Sequence, residues 1–450
     1  MPATARDCAA SVLARVESDR AFAAAALDAS LHRSGLDARD RALATELVYG
    51  VLRAAPSLDA ALGRFARDGV ASLAKLDPLT RAALRVAAYQ ILALERIPAR
   101  AAVDAAVESV KRSRTPKLAG FANAVLRKLA DARPTPLPPD ARLTLALGAF
   151  PVEARARIAA VLGDDGCERH LRAALADDRV VTLRVNTCAT ARDVVTARLR
   201  SELPNATVTE GRVSPLAVRV SGGGDPAGWS VVREAVAAVQ EEGAQGVALM
   251  AGLRPGMRVL DVCAGRGGKS AAAAVVMEGR GVIHAVDLHP DKLARLRETV
   301  GSMSFGDGLK VETHAADVTR GFGRLPAGVY DAVLVDAPCS GLGTLGHRPD
   351  ALWRLRGAEA WRDLVTTQEQ ILANASTRVA PGGTLVYAVC TLDVEEGDGV
   401  VRRFLEGAKA FRSAAGGDGV PERLRGERVV LDAASDETDG FMMWRMVRAG

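Results

Sequence analysis

The sequence lacks the features of membrane, secreted and zinc-binding proteins. None of its apolar runs reaches the roughly 18 residues that a bilayer-spanning helix requires. The N-terminal stretch MPATARDCAA has no apolar signal core, so we expect a cytoplasmic protein. The six cysteines are widely spaced and form no CxxC or Cys/His cluster. We therefore expect reduced thiols, with neither a disulfide framework nor a metal site.

Aromatic residues are also scarce, at 4% of the chain, and positive charge is unevenly distributed. Residues 1–134 contain 21 Lys and Arg against 14 Asp and Glu, whereas the remainder contains 38 against 40. A basic segment joined to a near-neutral one favours a polyanionic partner, bound through phosphate contacts rather than base stacking. The candidate contacts are Lys111, Arg112, Arg114 and Lys117. The alternatives are a solvated loop and a GC-rich genome that favours Arg and Ala.

The pattern of apolar residues predicts three domains in the 450 residues. Residues 1–134 are rich in alanine with helical spacing, and Asp77 followed by Pro78 is a predicted helix start. The segment 132–140 has four prolines and predicts a linker. Residues 141–235 predict a small α/β module, with strands at 180–187 and 215–220. From 236 to 450, apolar β-type runs alternate with helical stretches, which is typical of a parallel sheet covered by helices.

A glycine-rich turn follows the first strand of this last domain. The stretch DVCAGRGGKS, residues 261–270, begins with Asp261 at the strand end and starts a helix near Lys269. Glycines there let a backbone approach a ligand closely, although the spacing is neither GxGxxG nor Walker A and many such turns are merely tight. Asp287 and Asp317 end the next two strands. Three acidic strand ends in succession favour a nucleoside cofactor, because such residues bind ribose hydroxyls.

Two cysteines follow the next two strands at the same predicted edge. Asp336-Ala337-Pro338-Cys339 comes after YDAVLVD, and Cys390 comes after GTLVYAV. A thiolate can add to C6 of a pyrimidine and make C5 nucleophilic toward a sulfonium methyl group. A carboxyl group can hydrogen-bond the base, and a second group can assist elimination. From the residues alone either cysteine could attack, and both could equally be small buried hydrophobes.

Together these stretches resemble a known family. DVCAGRGGKS, VDAPCSGLGTLG, GTLVYAVCT and DGFMMWRM are similar to the RNA (cytosine-5)-methyltransferases that use S-adenosylmethionine. DARDRALATELVYGVLR and GFANAVLRKL resemble the NusB-type helical domain, and LRVNT resembles a motif ahead of the catalytic domain. The combination is similar to the bacterial 16S rRNA (cytosine-C5)-methyltransferase B (RsmB/Sun) family.

The resemblance implies a fold and a partner. We expect a multidomain protein with an all-α NusB-like RNA-binding domain (1–134), a small α/β RNA-binding linker module (141–235) and an α/β Rossmann-like class I methyltransferase domain (236–450). S-adenosyl-L-methionine is the expected cofactor and RNA, in particular 16S rRNA, the expected substrate. No membrane partner and no metal are expected.

The resemblance also implies a role for individual residues. Cys390 corresponds to the nucleophile and Cys339 to the residue that assists product release. Asp336 would hold the cytosine, with Lys269 beside the same pocket. The remaining residues would contact the cofactor. Asp287 would bind its ribose and Asp317 its adenine. The methionine part would lie along the backbone of Cys263, Ala264, Gly265, Arg266, Gly267 and Gly268. Lys269 and Asp336 are also expected to lie against the cofactor.

Two departures from the family pattern leave other functions open. Arg266 stands where the family has proline, and Gly397 stands where it has asparagine. One alternative is therefore a non-catalytic RNA-binding or ribosome-assembly factor with a decayed site, although both cysteines, Asp336 and Lys269 are retained. Another is a methyltransferase of proteins or small molecules. The Asn-Pro-Pro-Tyr type of motif expected for it is replaced by Asp-Ala-Pro-Cys.

Overall fold

The computed structural model describes residues 4–176, 180–354 and 358–450, without the side chains of Arg354 and Ala358. The described residues group into two compact units. The helical unit contains 4–156, 175–176 and 345–354, and the sheet unit contains 157–174, 180–344 and 358–450. No helix within these ranges is both long and apolar enough to cross a membrane.

The N-terminal part of the chain is helical, as predicted. Its helices are α1 (Ala5–Asp19), α2 (Ala23–Ser34), α3 (Ala38–Gly63), α4 (Val70–Ala74), α5 (Pro78–Ala93), α6 (Ala99–Lys111), α7 (Ala119–Asp131), α8 (Ala141–Gly148), α9 (Val152–Leu162) and α10 (Asp164–Leu175). The Asp77 carboxylate accepts the Thr80 N–H at 3.0 Å and caps α5, while Pro78 occupies its first position. Val86 and Ile91 of α5 are buried in the core of this unit.

The proline-rich segment 132–140 connects helices that belong to the same unit. Helix α8 packs against α3 and α5. Arg142 of α8 lies 3.7 Å from the Glu46 carboxylate and donates a hydrogen bond to the Ala93 carbonyl. The residues on either side of these prolines pack together, although we predicted a domain boundary there. The division into three domains stays a prediction.

A small antiparallel sheet forms the first part of the sheet unit. Its strands are β1 (Val180–Val185), β2 (Thr207–Glu210), β3 (Ala217–Ser221) and β4 (Ala237–Val239), in the order β2-β3-β1-β4. Helix α11 (Arg192–Glu202) and the short α12 (Ser230–Arg233) accompany it. Leu183, Val218 and Trp229 form its core. The strands predicted at 180–187 and 215–220 are β1 and β3.

The larger sheet contains all five strands predicted for the last domain. Its strands are β5 (Arg258–Val262), β6 (Gly281–Asp287), β7 (Leu309–Ala315), β8 (Tyr330–Asp336), β9 (Val379–Val389), β10 (Phe411–Ser413), β11 (Arg428–Leu431) and β12 (Phe441–Arg448). The accompanying helices are α13 (Glu242–Met250), α14 (Gly268–Val276), α15 (Pro290–Ser302), α16 (Ala351–Arg354, in the helical unit), α17 (Ala358–Ser376) and α18 (Val400–Gly407).

The order of these strands brings the predicted motifs to one edge. The order is β10-β12-β9-β8-β5-β6-β7, with β11 paired to β12. Strands β5 to β9 run parallel, so their carboxyl ends meet at the same edge. The C-terminal strand β12 adds an antiparallel pair beside β9. The predicted Rossmann-like fold is confirmed, with antiparallel strands added to one side of the parallel sheet.

Candidate active site

The turn between β5 and α14 has a conformation that glycine makes possible. Gly265 and Gly267 have positive φ angles of 58° and 89°, and Cys263 also adopts a left-handed conformation with φ at 62°. A Cβ at Gly267 would lie 2.5 Å from Cγ of Leu296. Side chains larger than glycine are therefore excluded at Gly267 by contact as well as by conformation. Arg266, between the two glycines, is exposed.

Asp287, at the end of β6, holds this turn in place. Its Oδ2 accepts the Gly265 N–H at 2.9 Å, and its Oδ1 accepts the His289 N–H at 2.9 Å. Asp317 follows β7, where its Oδ1 accepts hydrogen bonds from the backbone and hydroxyl of Thr319. Asp287 is buried and Asp317 is partly buried. The two carboxylates thus lie at the ends of adjacent strands, and Asp287 contacts the glycine turn.

The LRVNT segment of β1 reaches the same turn. Arg184 is buried, and its guanidinium donates hydrogen bonds to the Gly268 carbonyl at 2.9 Å and to the Gln240 side chain. Burial lowers the pKa of Arg184 to about 10. The Arg184 guanidinium therefore binds the backbone at the end of the glycine turn. Through this contact the small sheet reaches the candidate site, within the sheet unit.

Lys269 and Asp336 form an ion pair at the same edge. Lys269 Nζ, in the first turn of α14, lies 2.5 Å from Asp336 Oδ2 at the end of β8. Burial alone would lower the pKa of Lys269, but the Asp336 carboxylate raises it above its ordinary value, with smaller contributions from Cys390 and Asp261. The ammonium group is therefore positively charged at neutral pH, and it interacts with both Asp336 and the Cys390 sulfur.

The two cysteines predicted to share the site are adjacent. Cys339 Sγ lies 3.3 Å from Cys390 Sγ, because β8 and β9 are neighbours and both chains turn at the same edge. The pKa of the Cys339 thiol is raised well above its usual range by its hydrogen bond with Cys390, by burial, and by the charges of Cys390, Glu396 and Asp336. A base placed here would meet two sulfurs, a carboxylate and an ammonium group.

Sequence reasoning missed a buried carboxyl group that shapes the Pro-Cys turn. Glu396 Oε2 accepts the Ser340 N–H and the Gln368 amide, each at 2.8 Å. The same Gln368 amide donates to the Pro338 carbonyl at 2.9 Å. Burial raises the pKa of Glu396. The sequence did offer one signal for Glu396, an acidic residue six positions after Cys390 in the segment that follows a buried strand.

Asp261, the first of the three acidic strand ends predicted from the sequence, lies buried beside the glycine turn. It is fully buried, and its Oδ2 accepts the Ser270 hydroxyl at 2.5 Å. Its Oδ1 has no hydrogen-bond partner among the described residues. Burial raises the pKa of Asp261 to about 7. The glycine turn therefore lies beside a carboxyl group with an unused acceptor atom.

Gly397, which departs from the expected family pattern, lies in a closely packed place. A Cβ at this position would lie 2.5 Å from Cη2 of Trp444 and 2.9 Å from Cε of Met442. Both contacts belong to β12, the terminal strand whose Phe441 ring lies 5.9 Å from Lys269 Nζ. The glycine accompanies close packing of β12 against the segment after Cys390, and it is not by itself a sign of decay.

The basic cluster predicted to bind RNA lies in the helical unit. Lys111 is 2.6 Å from the Glu108 carboxylate, and Arg112 is 2.9 Å from the Asp7 carboxylate. Arg114 and Lys117 are exposed. Half of the cluster is thus already paired with acidic side chains, and its contact with RNA stays a prediction.

Trp353, which follows the Pro-Cys motif, packs within the helical unit. Its Nε1 donates a hydrogen bond to the Leu52 carbonyl at 3.1 Å, and the Arg85 guanidinium lies 5.2 Å from its ring. The ring also contacts the apolar core of that unit. Trp353 therefore contributes to the core of the helical unit.

Comparisons with known proteins agree with this geometry. Residues 3–131 match the NusB family and residues 248–442 match the 16S rRNA methyltransferase RsmB/F family. The ribosomal RNA small subunit methyltransferase B of Thermus thermophilus is 33% identical over 94% of this chain and 92% of its own. The probable enzyme of the same name from Bacillus subtilis is 30% identical over 99% of both chains. A crystal structure of PH0851 superimposes with a TM-score of 0.81 over 98% of both chains, at 23% identity.

Proposed function

This chain belongs to the RsmB/F family of 16S rRNA methyltransferases, and from that premise we propose that it methylates C5 of a cytosine in 16S rRNA through a covalent adduct with Cys390. It is an S-adenosylmethionine-dependent RNA methyltransferase. The observation that carries the proposal is the 3.3 Å approach of Cys339 and Cys390 beside the Lys269–Asp336 ion pair. These are the groups that nucleophilic addition and elimination at a pyrimidine require.

The residues at the sheet edge fit the cofactor. Asp287 and Asp317 supply carboxylate acceptors for hydroxyl and amino groups, and the turn from Cys263 to Gly268 supplies backbone next to the unpartnered Oδ1 of Asp261. When bound, S-adenosylmethionine supplies an electrophilic methyl group on a sulfonium sulfur. This chain's own contribution is to hold the cofactor at the end of β5, beside the two cysteines.

The proposed reaction at the base consists of addition, methyl transfer and elimination. The Cys390 thiolate forms a bond to C6 of the cytosine, and C5 becomes nucleophilic and takes the methyl group. Asp336 hydrogen-bonds the base, and the Lys269 ammonium offsets negative charge. Solvent water then takes the C5 proton, which restores the C5–C6 double bond as the Cys390 sulfur leaves as a thiolate. The Cys339 thiol, 3.3 Å from Cys390, donates a hydrogen bond to this leaving thiolate.

Electrostatics supports Cys390 rather than Cys339 as the nucleophile. The Lys269 ammonium interacts with the Cys390 sulfur, and a neighbouring cation favours a thiolate. The pKa of Cys339 is raised by its hydrogen bond with Cys390, by burial, and by the charges of Cys390, Glu396 and Asp336, and this favours the protonated thiol. A protonated thiol beside the leaving sulfur is suited to assist elimination and unsuited to attack.

The proposed substrate is a cytosine in 16S rRNA, because the relatives that cover most of this chain are ribosomal RNA small subunit methyltransferases. The reacting base cannot be reached inside a duplex, so the target nucleotide is unpaired or flipped out of its stack. Binding through phosphate contacts predicts that affinity for RNA falls as salt concentration rises.

Methyl transfer itself tests the proposal. The purified protein is incubated with labelled S-adenosylmethionine and with unmodified 16S rRNA, either naked or in small-subunit particles, and the digested RNA is analysed for labelled nucleosides. We expect labelled 5-methylcytidine at one position. Cofactor binding without label on either substrate would overturn the proposal in favour of a non-catalytic RNA-binding or ribosome-assembly factor.

A further inference from the structure

Three potential metal ligands lie together on β6 and β7, away from the sheet edge that carries the cysteines. His284 of β6 is paired in register with Glu312 of β7, and His314 is two residues further along β7. His284 Nε2 lies 3.5 Å and His314 Nε2 lies 3.7 Å from the same oxygen, Glu312 Oε2. One ligand atom from each side chain lies within 4.8 Å of the others.

The sheet topology explains why polar side chains gather here. Strand β7 is the edge of the larger sheet, and its residues 312 and 314 point to the same face because side chains alternate along a strand. The described segment 316–329, between β7 and β8, contains no helix. His284 is buried, whereas Glu312 and His314 are partly buried. The cluster is therefore largely sheltered from solvent.

Both histidines have a nitrogen available for a ligand. His284 Nδ1 lies 2.7 Å from the Tyr330 hydroxyl, so when Nδ1 donates to that oxygen the lone pair lies on Nε2, facing Glu312. His314 Nε2 is buried and has no hydrogen-bond partner among the described residues. Lys310 is bound to the other oxygen of Glu312, Oε1, which leaves Oε2 toward the imidazoles.

We propose that His284, Glu312 and His314 bind one divalent transition-metal ion, of the class of Zn²⁺, Co²⁺ or Ni²⁺. Two imidazoles and one carboxylate form a donor set that these ions favour over Mg²⁺ or Ca²⁺. Ligand atoms about 2.1 Å from a tetrahedral ion lie about 3.4 Å apart, close to the separations of 3.5 and 3.7 Å observed here. A water molecule would complete a four-coordinate site.

An ion at this site would act on the two strands that lead to the predicted cofactor contacts. The ion would join β6 to the edge strand β7. His284 lies three residues before Asp287, and His314 lies three residues before Asp317. The ion would therefore stabilise the two strands that present these carboxylates to the cofactor.

The test is a titration of the full-length protein with Co²⁺, followed by calorimetry and by the visible absorption spectrum. Cys339 and Cys390 are replaced by serine in every sample, because two adjacent thiols also bind soft ions. We expect one equivalent of Co²⁺ to bind, with a spectrum that lacks thiolate charge transfer, and Zn²⁺ to compete for the site. Saturable binding should also raise the melting temperature.

Variants in the same background decide which residues bind the ion. His314→Gln and Glu312→Gln should each weaken binding at least about tenfold, and Tyr330→Phe, which removes only the partner of His284, by about 10- to 100-fold. The matched control is His32→Gln, because His32 is an exposed histidine 3.2 Å from the carboxylate of Asp28. Equal Co²⁺ affinity in the His314, Glu312 and control variants, or no saturable binding in the parent, would overturn the proposal.

Discussion

The two turns that carry the cysteines lie side by side, but they place the sulfurs in opposite electrostatic surroundings. The turn after β8 carries Cys339, and its backbone is held by the buried carboxyl group of Glu396. The turn after β9 carries Cys390, which interacts with the Lys269 ammonium. Two residues of the same type, 3.3 Å apart, can therefore perform different steps, because the Lys269 ammonium interacts with Cys390 whereas Glu396 adds to the raised pKa of Cys339.

The largest expected effect is that of Cys390→Ser. Loss of the nucleophile should lower methyl transfer by roughly 10⁴-fold or more and abolish the covalent adduct with RNA containing 5-fluorocytosine. The measurement is adduct formation on denaturing gels beside labelled transfer. An adduct that persists in Cys390→Ser and disappears in Cys339→Ala would reverse the assignment of the two sulfurs.

Cys339→Ala should have the next largest effect and a different signature. Attack and methyl transfer remain possible, but elimination slows, so turnover should fall by about 10²- to 10⁴-fold while enzyme bound covalently to ordinary RNA accumulates. Single-turnover and steady-state rates, measured with the same RNA, separate the two steps. Equal loss of both rates, without accumulated adduct, would contradict a role in product release.

Gly397→Asn tests the packing of the segment that follows Cys390. The new side chain would enter the space of Trp444, and overpacking of this kind destabilises proteins by about 1–3 kcal/mol. Thermal unfolding with and without cofactor gives the change. Gly407→Ala at the end of α18 is the matched control, because a Cβ there meets no atom within 4 Å. Equal melting temperatures for the two variants would argue against close packing at Gly397.

The smallest expected effect is that of Glu396→Gln, which removes a charge but keeps an acceptor for the Ser340 N–H. Glu396 raises the pKa of Cys339, so its neutralisation should lower that pKa and increase thiolate at a given pH. Alkylation of Cys339, measured against pH in a Cys390→Ser background, should speed up a few-fold at neutral pH. An unchanged profile would mean that Glu396 acts only through the backbone.

Most of the fold followed from pattern in the sequence, because strand and helix periods are local properties. Strands β5 to β9 coincide with apolar runs, and the glycine turn and α14 lie where DVCAGRGGKS predicts them. The segment that forms the C-terminal strand β12 was identified from the sequence only as part of the family resemblance and not as a strand. Its place beside β9 depends on pairing with a strand more than fifty residues earlier, which no local period encodes.

The sequence by itself determined the set of candidate site groups: two cysteines, Asp336, Lys269 and an acidic residue at or after the end of each of two strands. Only the tertiary structure decided their surroundings. It placed Lys269 beside Cys390, buried Glu396 behind Cys339, and brought His284 next to β7 although our sequence reasoning expected no metal site. The physical reason is that reactivity depends on burial and on charges within a few ångströms, and these distances are set by strand order rather than by spacing along the chain.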